Sequence, residues 1–363
     1  MQRILHIIGK MDRAGAETML MNIYRHIDRT QIQFDFVTFT NQPGDYDTEI
    51  IQLGGRIIPI IAKNSIQRMF KLRQFLKSHQ EYQIVHAHIL LSNAFHLIAA
   101  KQAGVKYRIS HSHNASDGYR GIIVKLYEKW SINKNKKLAT HKIACGKEAA
   151  KFLFKDSKDV ILLPNAVDIH KMIMTAEQNR NYIQEKFSDT SLKIIQVGRM
   201  LSVKNHQFSL EIAQALKKRN INFTMYFIGN GVLLNELKQQ TEKKSLSDCV
   251  KFLGLRTDVA ELMASADYMI MPSLHEGFPV VLVESQTVGL HSLVSDQVSQ
   301  EVDLGVNLVK FLPINSVNAW VENLLMTTTQ KYSTEQRVNE LKEKKFDVAE
   351  NSNMLMSIYK LMQ

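Results

Sequence analysis

Cysteine is scarce: Cys145 and Cys249 are the only two in 363 residues, far apart and each inside an apolar run. That excludes a disulfide framework and a Cys-x-x-Cys metal site, and it fits a reducing, cytoplasmic compartment. Long hydrophobic runs are also lacking. None approaches the roughly 18 apolar residues needed to span a bilayer, so any meeting with a membrane is expected to be peripheral. The opening MQRILHIIGKMD holds only a short apolar run, broken by His6, with no small-residue cleavage site after it, so it does not read as a signal peptide. Fixed-period repeats, low-complexity tracts, a DNA-recognition helix and an aromatic stacking platform are likewise missing, which argues against a nucleic-acid partner.

What is present is ordinary globular composition, 45% hydrophobic and 22% charged, with a net charge of +11. The excess is one-sided. Residues 1–165 carry 25 basic and 13 acidic residues, whereas 166–363 carry 21 and 22. The two halves are therefore expected to face different partners.

Short β-branched runs alternate with amphipathic runs almost from end to end. Strands are expected at 3–8, 33–39, 56–60, 84–88, 107–111, 141–145 and 160–163, and again at 192–197, 223–228, 250–253, 268–271, 291–294 and 308–312. Strands apolar on both faces, separated by helices, imply parallel sheets covered on both sides. Two such series imply an α/β protein of two Rossmann-like, doubly wound domains. The expected division is 1–165, a polar, helix-prone linker at 166–190, a second domain at 191–345, and a C-terminal helix at 346–363 that crosses back to the first domain. Ligands of such sheets bind beyond the C-terminal ends of the strands.

Three strand-to-helix connections carry candidate chemistry. The loop GKMDRAGAE brings Gly15 and Ala16 to a helix N-terminus, where backbone N–H groups can meet an anion; an ordinary tight turn reads equally well. In VGRMLSVKNH, Gly198 permits a sharp exit from a strand, and Arg199 and Lys204 supply two cations suited to a diphosphate. In PSLHEGFPVVLVESQ, Glu276 follows a strand, a helix begins near Pro279, and the N–H groups of Gly277, Phe278, Pro279 and Val280 (less the imide nitrogen of Pro279) frame its start. Glu284, about five residues into that helix, could accept hydrogen bonds from the vicinal hydroxyls of a ribose.

With these motifs in order, the chain resembles the retaining, GT-B-fold glycosyltransferases of family 4 (group 1), in particular those of bacterial capsular and exopolysaccharide biosynthesis. The resemblance extends over AGAE, HAH, HSHN, LPNAVD, VGR…KNH, FIGNG, FLG and EGFP…E. It implies a nucleotide-sugar donor, UDP-linked by expectation, and a lipid-linked saccharide acceptor at the inner face of the plasma membrane. Arg199 and Lys204 would hold the diphosphate, Glu284 the ribose, and Glu276 with the Gly277–Val280 backbone the transferred sugar. His113 would stand at the reacting centre, Gly15 and Ala16 near the donor phosphates, and Asn165 and Arg256 in matching donor loops. Many relatives read EGFGLP where this chain reads EGFPVV, which leaves donor identity open.

No cofactor or metal is expected. His86, His88, His111 and His113 are possible ligands by type, but packed strand histidines are the commoner case. Asp45-Tyr46-Asp47 matches a metal-binding DxD but sits in a turn after Pro43-Gly44. The basic excess falls on two amphipathic stretches, one with Arg68, Lys71, Arg73 and Lys77, the other with Arg120, Lys125 and Lys129. These read either as ordinary solvated helix faces or as a patch for anionic lipid and an acceptor. A sugar-nucleotide 2-epimerase of the same fold is an alternative activity, distinguished by nucleotide release without an acceptor. A non-catalytic membrane- or nucleic-acid-binding module is an alternative of another class.

Overall fold

The computed structural model describes residues 1–113, 122–155, 158–326 and 333–362, without the side chains of 122 and 123. The chain divides into two compact units, residues 1–166 with 347–363, and residues 167–346.

In the first unit the chain runs β1 (Gln2–Gly9), α1 (Gly15–His26), β2 (Ile32–Thr38), α2 (Asp47–Gln52), β3 (Arg56–Pro59), α3 (Ser65–Ser78) and β4 (Ile84–Ala87). It continues through α4 (Asn93–Gln102), β5 (Tyr107–Ser112), α5 (Ile122–Leu138), β6 (His141–Ala144), α6 (Lys147–Phe154) and β7 (Ile161–Leu162). The sheet is parallel, in the order β3-β2-β1-β4-β5-β6-β7. Its central strand shows why an unbroken apolar run reads as parallel sheet. Ile4 and Ile8 pack with Leu20 and Ile23 of α1 on one face, while Leu5 and Ile7 pack with Leu72 of α3 and Ala99 of α4 on the other.

The second unit opens with α7 (Ile169–Gln178) and α8 (Tyr182–Phe187), then β8 (Leu192–Val197), α9 (His206–Lys218), β9 (Phe223–Ile228), α10 (Leu234–Lys243), β10 (Val250–Gly254) and α11 (Val259–Ser265). There follow β11 (Tyr268–Met271), α12 (Val280–Val288), β12 (His291–Ser295), β13 (Val309–Leu312), α13 (Val317–Leu325) and α14 (Thr334–Glu343). Its parallel sheet is ordered β10-β9-β8-β11-β12-β13.

The segment 166–190 is not the expected linker. It forms α7 and α8, whose Ile169 and Ile183 are buried; α7 packs on α11 and α12, and α8 on α11. The backbone N–H of Ile183 donates to Ser265 Oγ at 2.9 Å. The helical tendency read from its sequence holds; its few apolar residues fall on one face of each helix and make both helices part of the second unit. The last helix, α15 (Val348–Lys360), belongs to the first unit. It buries Leu355, Met356 and Tyr359 among residues of α1, and Asn351 Nδ2 donates to the Pro164 carbonyl at 2.8 Å.

Both sheets reverse winding direction at one place. In the first, β1 leads outward to β2 and β3, while β4 leads the other way; in the second, β8 and β11 stand in the same relation. A crevice opens at such a reversal beyond the C-terminal strand ends.

Candidate active site

At the β8/β11 reversal, the loops that follow the two strands are tied together. Lys204 Nζ donates to Glu276 Oε1 at 2.6 Å, with the side chains 18% and 12% exposed. Leu274 N–H donates to the Val203 carbonyl at 2.8 Å, and Asn205 Nδ2 to the Pro272 carbonyl at 3.1 Å. Helix α9 begins only at His206 because Asn205 is left-handed, with φ +52°, a conformation asparagine tolerates better than most residues. Behind the loop, Gln196 Nε2 donates to the Lys204 carbonyl at 2.9 Å, and Ser209 Oγ donates to Gln196 Oε1 at 2.6 Å.

The loop after β9 closes the third side. Gly229 has φ +136°, and a Cβ there would lie 2.1 Å from the Gly198 carbonyl oxygen. Only glycine lets these two backbones approach so closely. Arg199 is exposed on the same β8–α9 loop. Glu284, the fifth residue of α12, is half-buried, and burial pushes its carboxyl up to about 7.

At the β1/β4 reversal of the first unit stands a group of buried histidines. His6 and His86 face each other across β1 and β4, and His88 and His113 follow β4 and β5. His6 Nδ1 is 3.0 Å from His88 Nε2, His88 Nδ1 is 2.9 Å from His113 Nε2, and His86 Nδ1 is 2.6 Å from the Tyr359 hydroxyl. The His113 ring stacks on His111 at 4.0 Å between centroids, and the His113 carbonyl accepts from Cys145 Sγ. Burial lowers His6 and His113 to about 3 and holds His86, His88 and His111 well below the ordinary imidazole value. Two triads, His6–His86–His88 and His88–His111–His113, each bring ring nitrogens within 4.8 Å of one another, close enough to hold a metal ion.

Residues 13–171 match Glycosyltransferase Family 4, and residues 177–328 match the glycosyl transferases group 1. The putative glycosyltransferase EpsF of Bacillus subtilis (strain 168) is 35% identical, over 99% of this chain and 97% of its own. The chain belongs to the group 1 glycosyltransferases. The E. coli UDP-Gal:alpha-D-GlcNAc-diphosphoundecaprenol alpha-1,3-galactosyltransferase is 27% identical over 82% of this chain and 81% of its own. Anabaena HepE in complex with UDP and glucose superposes with a TM-score of 0.79 at 17% identity, over 99% of this chain and all of that one. The expected GT-B architecture of two Rossmann-like units holds.

In the glycosyltransferase the predicted site residues fall into three groups. Gly198, Arg199, Lys204, Glu276, Gly277 and Glu284 lie on β8, β11 and α12 connections that converge at one sheet edge. At the start of α12 the Phe278 ring stacks on Phe346 at 5.6 Å, Pro279 is buried, and Val280 lies in the same apolar cluster. Their side chains serve packing, so only backbone at this turn remains for a ligand. Arg256, after β10, donates through both its Nε and NH2 groups to Asp258, with the former at 2.7 Å. Asp258 further accepts from Lys186 at 2.8 Å and lies well below the usual carboxylate range through these partners.

In the first unit, α1 begins at Gly15, beside which a Cβ would meet nothing within 4 Å, and Ala16 packs against the core. Asn165 is 2% exposed in the segment after β7. The DxD carboxylates hold the turn. Asp45 accepts from Arg13 N–H, and Asp47 from Gly44 N–H, each at 2.9 Å.

Two members of the basic patch are engaged by neighbouring groups. Arg68 lies over the Phe39 ring, 3.7 Å from its centroid, and Lys71 donates to the Ile61 carbonyl at 2.8 Å. Lys77, Lys125 and Lys129 are exposed and Arg73 half-buried, while Arg120 lies outside the described residues. Gln196, Ser209 and Asn205, which fix the Lys204 backbone, were missed; a buried Gln and Ser on apolar elements were the available signal. A groove of about 660 Å³ lined by Phe187, Asp189, Tyr226 and Lys251 lies elsewhere in the second unit and contains none of the candidate site residues.

A carboxyl raised from 4.5 to about 7 by burial binds its proton more tightly folded than unfolded. Its contribution is therefore intact below about pH 4.5 and is lost as pH rises toward 7. Replacing Glu284 by Gln should leave urea stability near wild type at pH 4.5 and raise it above wild type at pH 8. The gain should be on the order of 1–2 kcal/mol, reduced from the full linkage value by partial solvent access. An equal difference at both pH values would contradict the burial effect.

Proposed function

We propose that the glycosyltransferase moves a hexose-type sugar from a UDP-linked donor to a lipid-linked oligosaccharide in cell-surface polysaccharide synthesis, with retention at the anomeric carbon. The observation that carries this is the Lys204–Glu276 pair at the β8/β11 reversal. A diphosphate oxygen can take the place of Glu276 as acceptor for Lys204, joined by Arg199, and the freed Glu276 can accept from hydroxyls of the sugar. Glu284, once ionised, accepts from the ribose hydroxyls. The E. coli galactosyltransferase and HepE support the choice of UDP and of a lipid-diphosphate acceptor.

In the reaction, the bond from the anomeric carbon to the diphosphate oxygen breaks, and a bond from that carbon to the acceptor oxygen forms on the same face. The acceptor proton passes to the departing diphosphate. Lys204 and Arg199 stabilise the charge gathering on the leaving group, which is where preorganised cations act most strongly. The balance closes without a metal or a protein nucleophile.

No described helix is long and apolar enough to cross a membrane. The acceptor is reached instead through α3 and α5. Ile66 and Phe70 are 56% and 53% exposed, and their spacing with Arg73 and Lys77 places all four on one face of α3. Leu126, 64% exposed on α5, stands between Lys125 and Lys129. Exposed apolar groups beside lysines and arginines suit an anionic lipid surface.

Lys204→Ala and Glu276→Ala should each lower turnover by about 100-fold or more, measured as UDP release from UDP-hexoses with a membrane-lipid extract as acceptor. Circular dichroism should stay unchanged, and wild-type turnover in both variants would remove the assignment. In flotation assays the protein should rise with vesicles containing anionic lipid and not with neutral ones. Reversing Arg73, Lys77 and Lys129 to Glu should abolish that binding; flotation that survives the reversal would rule the patch out.

A further inference from the structure

Residues 50–116 carry nine lysines and arginines against a single carboxylate, Glu81. A cation drawn inward in this stretch finds little acid nearby in sequence to neutralise it, and Arg68 is such a cation. Its guanidinium carbon lies 3.7 Å from the centroid of the Phe39 ring, and the residue is half-buried. Desolvation lowers its pKa, and no acidic group offsets the effect. Of its three guanidinium nitrogens only Nε is sealed from solvent without an acceptor. The side chain makes no hydrogen bond or ion pair with any described residue.

Other arginines withdrawn from solvent are filled from within the chain. Arg3 donates to both oxygens of Asp35, Arg25 to both of Glu49, and Arg108 to the Leu138 and Val105 carbonyls. The Phe39 ring attracts the charge of Arg68, but it offers no oxygen to the N–H groups. A half-buried cation of this kind keeps most of its desolvation cost until an anion arrives.

Arg68 stands where a ligand can reach it. Phe39 follows β2 directly, and its N–H donates to the Gly9 carbonyl, at the end of β1, at 2.6 Å. A Cβ on Gly9 would lie 3.5 Å from the Phe39 ring and 3.6 Å from Ile89, which follows β4. Arg68 is therefore held at the C-terminal edge of the sheet, where ligands of such sheets bind. Arg68 and His96 are each the fourth residue of their helices, α3 and α4, whose positive N-terminal ends lie at that edge. The His96 ring is 5.5 Å from that of Phe39, and burial, helped by the Arg68 charge, lowers it to about 3, so it stays neutral.

The other side of α3 indicates what such an anion is attached to. Ile66, Phe70, Arg73 and Lys77 share the face proposed above to meet lipid, and at 3.6 residues per turn Arg68 falls on the opposite face of the same turns. An anionic group tethered to an isoprenoid at that lipid surface comes within one helix diameter of Arg68, about 10 Å.

We propose that Arg68 anchors an anion site in the first unit that takes the diphosphate joining the acceptor saccharide to its lipid. The two Nη groups bind phosphate oxygens, and the N-terminal ends of α3 and α4 add to the field. The anion site rests on the unfilled guanidinium; its assignment to the acceptor rests on the function proposed above.

Phenylglyoxal, which modifies accessible guanidinium groups, tests this on the wild-type full chain, read at Arg68 by peptide mass spectrometry. Arg68 should react in the free chain. Geranyl diphosphate should slow that reaction about tenfold or more, inorganic pyrophosphate less, and geraniol not at all. An Arg68 that is unreactive in the free chain, or equally reactive with and without geranyl diphosphate, would overturn the site. Equal protection by inorganic pyrophosphate would overturn its assignment to a lipid-borne group. In a Lys204→Ala background, which removes a donor-side diphosphate contact, Arg68→Met should weaken geranyl diphosphate binding about tenfold by calorimetry, and Arg68→Lys less. Unchanged affinity in Arg68→Met contradicts the proposal. The labelling result decides even if that variant does not fold. No sugar donor or turnover enters either measurement, so their outcome is separate from that of the UDP-release assays.

Discussion

The ion pair between Lys204 and Glu276 is the constraint around which the second unit is arranged. It joins the loops after β8 and β11, the two strands between which the sheet reverses direction. Both side chains are largely withdrawn from solvent, so neither charge can lose the other without a replacement of the right sign. In the function proposed above, a diphosphate and a sugar hydroxyl together would supply both replacements. The surrounding contacts hold the pair in place: Gln196 and Ser209 hold the Lys204 backbone, Asn205 turns the chain and ties it to Pro272, and Gly229 lets the third loop close against Gly198. A site whose partners are exchanged rather than newly gathered needs little rearrangement to bind, which is how preorganisation lowers the free energy lost on association.

The first unit meets a different requirement at its own strand reversal. There the residues are uncharged imidazoles, packed face to face and joined nitrogen to nitrogen, with Tyr359 of the returning C-terminal helix as one member. Helix α15 thus does more than cover an apolar face. It adds a phenol to a polar chain inside the core, so the far end of the sequence helps to orient groups that β1, β4 and β5 present. Directional bonds in a dehydrated interior narrow the choice of tautomer in a way that solvated histidines would not experience.

Much of this was legible in the sequence, for physical reasons. Ile4, Leu5, Ile7 and Ile8 sit on two opposite faces and are all apolar, which only a strand covered on both sides requires. Lys204, Glu276 and Glu284 could be singled out because each follows a strand at a glycine- or proline-marked turn. The chain between 166 and 190 read as helix-prone but not as part of the second unit, because α7 and α8 bury only a few residues each and expose the rest. The pairing of Arg256 with Asp258, and the stacking of Phe278 on Phe346 and of Arg68 on Phe39, were hidden as well. A guanidinium or a ring has the same letter whether it meets a ligand or a neighbour. The histidines were visible one by one; what tertiary structure added was their convergence from three strands.

The central claim is that donor binding replaces one half of the Lys204–Glu276 pair with the diphosphate and the other half with the sugar. A crystal structure with UDP-glucose bound tests it most directly. The account predicts a diphosphate oxygen within hydrogen-bonding distance of Lys204 Nζ, and Glu276 turned to a sugar hydroxyl. A nucleotide bound away from these two residues, with the ion pair still closed, would contradict it.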